Sequence, residues 1–132
     1  MASSVRFLNP ATLSKPPGYT HVVEVTGGRT IYISGQVPLD QAGNVVGAGD
    51  FAAQATQVFE NLKLALTAAG ATFDNIVKVN MYVTDMSQIE VLRTIRLRYY
   101  GTNAPASTLV EIAKLARPEF LIEIEAIAVI SG

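Results

Sequence analysis

Leu121-Ile122-Glu123-Ile124-Glu125-Ala126-Ile127-Ala128-Val129 has the composition of a buried β-strand, yet two carboxylates interrupt it two residues apart. In a strand that spacing points both side chains to the same face. An ionised carboxylate away from water needs a counter-charge or several hydrogen bonds. The face that carries Glu123 and Glu125 is therefore either the solvated side of a sheet or a site.

The remainder of the chain sets bounds on that choice. A length of 132 residues suits one domain spanning residues 1–132, with enough chain to bury a core. Nearly half the residues are apolar and the formal net charge is −1, which gives no electrostatic footprint for nucleic acid or an anionic membrane. The chain has no cysteine, which removes disulfides, thiolate catalysis and cysteine metal sites. His21, the only histidine, reads as a structural residue, and no second histidine exists to build a metal centre. No signal-like or membrane-length apolar run is present, so a cytoplasmic location is the expectation.

Upstream of the acidic strand the pattern alternates between strands and helices. Val5–Leu8 is a short apolar piece, and Lys15-Pro16-Pro17-Gly18-Tyr19 is a fixed, partly extended loop. Residues 20–25 and 30–34 read as two strands of a hairpin turning at Gly27-Gly28. Ser34-Gly35-Gln36 follows directly, and a glycine there permits close approach of a ligand or another backbone. Asp50 is a helix N-cap, and Ala55, Val58, Phe59, Leu62, Ala65, Leu66 and Ala69 recur at helical spacing until Gly70 stops the run. A strand over residues 76–83 follows, then a helix over 88–100 with Val91, Leu92, Ile95 and Tyr99 inward and Arg93, Arg96 and Arg98 on a solvated face. Strands over 107–115 and 121–129, joined by a turn at 116–119, complete the chain. The order describes an α+β domain with a mixed sheet and both helices on one face. Apolar residues alternate onto the other face, which predicts that further copies of the chain cover it.

Together, Ile33-Ser34-Gly35-Gln36, the helix from Gln57 to Gly70, the block from Asp74 to Asp85, Asn103-Ala104-Pro105-Ala106 and the closing strand resemble the RidA/YjgF family over nearly the whole chain. The resemblance implies a chorismate-mutase-like fold assembled as a homotrimer with pockets at the subunit interfaces. It also implies a cofactor-free enamine/imine deaminase that hydrolyses reactive 2-imino acids to 2-oxo acids and ammonia. Carried over by position, Glu123 matches the glutamate that orients water, Ser34 and Gly35 match a turn whose amides assist, and Tyr19 matches a pocket tyrosine.

One part of the pattern is missing. The family's carboxylate-binding arginine falls at Ser107, its pocket cysteine at Leu109, and a helix asparagine at Arg93. A serine hydroxyl offers one neutral donor where a guanidinium offers paired, charge-assisted ones. Losing such bonds weakens carboxylate binding by about ten- to a few hundred-fold. The sequence thus leaves open a deaminase acting on a less acidic small molecule, a deaminase whose charge is relocated to Arg93, and a non-catalytic trimer that binds a metabolite or a protein partner.

Overall fold

The computed structural model describes residues 3–131. The strands are β1 (Ser4–Leu8), β2 (Val22–Thr26), β3 (Arg29–Gln36), β4 (Ile76–Val83), β5 (Ala106–Glu111) and β6 (Ile122–Ile130), with helices α1 (Phe51–Ala68) and α2 (Ile89–Arg96).

The acidic strand takes the centre. β6 lies between β3 and β4, antiparallel to both, and β5 closes the far edge parallel to β4, giving the order β3-β6-β4-β5. Ile122, Ile124, Ala126 and Ala128 are all 3% exposed or less, and burying that row on the helix side is what draws β6 inward. The expected β5–β6 pairing does not form, because β4 stands between them.

The expected Gly27-Gly28 hairpin also fails to zip. Both glycines adopt the positive φ that a tight turn needs, but β2 pairs with β1 in a separate two-stranded ribbon. Arg6 and Glu24 sit directly opposite one another there and ion-pair at 2.9 Å. That cross-strand pair and the facing Phe7 and Val23 fix the register.

Helix α1 begins where its cap directs. The Asp50 carboxylate accepts from the Ala53 N–H, and Gly70, at φ 76°, turns the chain out after Ala68. Val58, Phe59, Leu62 and Leu66 bury completely or nearly so against the sheet. Gln54, also fully buried, donates from Nε2 to the carbonyls of Gly47 and Glu119 and accepts at Oε1 from the Leu121 N–H at 2.8 Å. This one side chain ties the start of α1 to the entry of β6.

Helix α2 is shorter than the pattern predicts. After Arg96 the amides of Arg98 and Tyr99 reach back three residues, to Ile95 and Arg96, so the helix tightens into turns ahead of Gly101. Leu92 and Ile95 join the α1 and sheet residues in one core. Tyr99 stacks on Phe59 with centroids 5.0 Å apart. Among the described residues, no helix is long and apolar enough to cross a membrane.

Candidate functional site

Register decides which residues share a face. Glu123 stands opposite Tyr82 and Glu125 opposite Asn80, so Lys78, Asn80, Tyr82, Glu123 and Glu125 all project from the face without helices. Ser107 stands opposite Val79 and Leu109 opposite Met81, on the helix side. The candidate residues therefore divide into two clusters on opposite faces of the sheet.

The first cluster is built around a bulge. Pairing between β3 and β6 runs regularly to Ile33↔Ala126 and resumes at Gln36↔Ile124, so Ser34 and Gly35 carry one residue more than the strand they face. The bulge brings the Gly35 backbone onto Glu123: a methyl group at Gly35 would lie 2.0 Å from Glu123 Oε2. Glycine is required here for space. No group among the described residues donates a hydrogen bond to the Glu123 carboxylate. Burial, with the Glu125 charge adding to it, raises its pKa above the ordinary value of 4.5.

Glu125 is in a different condition. Its Oε1 accepts from the Tyr82 hydroxyl at 2.7 Å and from Asn80 Nδ2 at 3.2 Å. The bond to Glu125, with burial and the two glutamate charges adding to it, raises the Tyr82 phenol's pKa. Two carboxylates that look equivalent in the sequence are thus one satisfied and one free to take a water molecule or ligand.

The second cluster is a recess of about 260 Å³ between α2, β5 and the proline loop, and Tyr19, Arg93, Ser107 and Leu109 all line it. Tyr19 is held edge-on to His21, with centroids 5.2 Å apart. The His21 ring itself bonds the Ser14 carbonyl through Nε2 at 2.6 Å, the structural role its isolation suggests. Arg93 pairs with Glu90 one turn back and is 38% exposed.

Arg96 is the residue that the sequence pattern misplaced. It is 8% exposed rather than solvated, lines the same recess, and donates from Nη2 to the Pro17 carbonyl at 3.1 Å. Gly18 lies so close beneath that a Cβ there would come within 2.4 Å of Nη2. The helix periodicity places 92, 95, 96 and 99 on one stripe, and that was the available signal.

No cluster of three or more histidine or acidic residues that could hold a metal ion is found among the described residues. An open-face cleft of about 290 Å³, lined by Tyr32, Ser34, Lys78, Asn80, Glu125 and Ile127, adjoins the Glu123 cluster. Tyr32 is 78% exposed on this face.

The mixed sheet with its two helices matches solved Rid-family structures. One such protein from Yersinia pestis, described as of unknown function, is 38% identical, covers 96% of this chain and 98% of its own, and superposes with a TM-score of 0.88. Residues 12–130 match the family described as Endoribonuclease L-PSP, and the chain belongs to this family, the RidA/YjgF/RutC proteins. A RutC family protein of Pyrococcus abyssi is 36% identical over 97% of this chain and 98% of its own. The human 2-iminobutanoate/2-iminopropanoate deaminase is 35% identical over 88% of this chain and 85% of its own.

Gly35→Ala is expected to separate the role of the bulge from its stability. The atom in the way is the mobile end of a side chain, so the variant should fold with a melting temperature within a few degrees of the parent. The Glu123 carboxylate must move, and a small molecule held by it should bind at least about tenfold more weakly, as a misplaced group costs. Undiminished ligand binding in a titration would remove Gly35 from the site.

Proposed function

We propose that the chain is a cofactor-free hydrolase of small enamines and imines, working as a homotrimer whose sites form between copies. The observation that carries this reading is the Glu123 carboxylate, unpaired beside the Gly35 bulge and with a raised pKa, in a family with named imine deaminases. Water held on Glu123 adds to the carbon of the protonated imine while one of its protons passes to the carboxylate. That proton then moves to the amino nitrogen of the carbinolamine, the C–N bond breaks and ammonia leaves, and the hydroxyl proton returns to the Glu123 carboxylate as the carbonyl forms.

The amides of Ser34 and Gly35 stabilise the oxygen that gathers charge. Tyr19, Arg93, Ser107 and Leu109 hold the rest of the substrate. Because Glu123 and Ser107 lie on opposite faces of one sheet, a single copy cannot offer both to one small molecule. A second copy laid on the open face supplies the missing half.

Two measurements test this. Freshly generated 2-imino acids should be hydrolysed with matching release of 2-oxo acid and ammonia, and sedimentation should give a trimer at micromolar concentration. A stable monomer would overturn the shared site. A trimer without turnover on any imine would leave a metabolite-binding protein in place of an enzyme.

A further inference from the structure

Charge in the Ser107 recess has not vanished with the arginine expected at that position. We propose that Arg96 is the anion-recognition residue of this recess and selects short, apolar-chained monocarboxylates. The inference rests on the reading of this recess as half of the substrate site.

Arg96 is 92% buried by complement of its 8% exposure, and among the described residues no carboxylate pairs with it. A buried guanidinium without a counter-charge is costly, and an arriving anion relieves that cost. Of its five donors, one is used on the Pro17 carbonyl. The guanidinium is fixed from below by Gly18, whose missing side chain makes room for it, so little side-chain freedom remains to be lost on binding.

The surroundings agree with a small organic anion. Beside Arg96 and Ser107, Met81, Met86, Ile89 and Leu109 form an apolar wall, suited to a chain of a few carbons. Arg93, by contrast, is already answered by Glu90.

The test is binding, so it does not depend on turnover. Calorimetric titration of the intact protein with 2-oxobutanoate and with its neutral amide should show the acid bound at least about tenfold more tightly. Arg96→Gln should lose that preference by about ten- to a hundredfold and leave amide binding within twofold. Arg96→Lys should lie between, since an ammonium keeps the charge without the fork. Adding Ser107→Arg to Arg96→Gln should restore acid binding.

If the glutamine variant does not fold, the parent still decides the matter. With 15N-labelled arginine, 2-oxobutanoate should shift the Arg96 Nε–H resonance and inorganic phosphate should shift it less. An unmoved resonance, equal binding of acid and amide, or undiminished acid binding in Arg96→Gln each overturns the proposal. Loss of acid binding in Arg96→Gln while Glu123→Gln leaves turnover intact would sink the water-positioning role and keep this one. The reverse result would do the opposite.

Discussion

Glu123→Gln is expected to abolish hydrolysis, by about 100- to 10,000-fold, the range seen when a positioned proton acceptor is lost. The amide keeps the shape of the carboxylate and cannot take a proton from water. No described residue donates to the Glu123 side chain, so the substitution breaks no hydrogen bond among them. Stability should move the other way. The native state holds the Glu123 proton more tightly than the unfolded chain, because its pKa is raised. Its contribution to stability is therefore complete below about pH 4 and is lost as pH rises through the raised native value. A neutral glutamine escapes that loss. The variant should melt slightly higher than the parent at pH 7, by about 1–2 °C given the solvent that screens this side chain, with no difference at pH 3.5. In the parent, turnover should rise with pH through a midpoint above 4.5, the reference value for a glutamate. Full activity in the variant would exclude the water-positioning role.

The largest loss of stability is expected at Gln54, a residue far from the chemistry. Gln54→Leu fills nearly the same volume but strands the carbonyls of Gly47 and Glu119 and the N–H of Leu121, all three of which Gln54 satisfies. Each buried group left unmet costs about 1–3 kcal/mol, and part of that is recovered where water reaches the loops. A net loss of about 3 kcal/mol is expected, or roughly 10 °C in melting temperature for a chain of this size. Because Leu121 leads into β6, the damage should extend to Glu123. Hydrogen exchange should show the β6 amides opening earlier in this variant. A melting temperature within two degrees of the parent would show that the clamp is dispensable.

Local chemistry alone determined much of this protein. Asp50 caps α1 and Gly70 ends it because side-chain acceptors and positive φ act within a few residues of where they stand. The apolar stripe of α1 and the alternation of β4 are equally local, being fixed by the 3.6 and 2.0 periods of the backbone. The same period of two placed Glu123 and Glu125 on one face before any neighbour was known. The resemblance to the family added the candidate residues one position at a time, and the matching relatives show the family itself.

Tertiary structure decided what periodicity cannot carry. Which strand lies beside which depends on burial summed over the whole sheet, so β6 took the centre and parted from β5, while β1 claimed β2 through the Arg6–Glu24 pair. The bulge at Ser34-Gly35 is a property of two strands together, and no single strand announces it. Glu123 and Glu125 differ because Asn80, opposite Glu125, and Tyr82, opposite Glu123, both turn their donors to Glu125. Arg96 was read as solvated because charge on a helix usually is, and only the packing of the Pro17-Gly18 loop over α2 buried it. The register of β4 with both neighbours put Ser107 and Glu123 on opposite faces of one copy. Pairing in space sets these features, and a linear pattern records only what each residue's own backbone period and near neighbours impose.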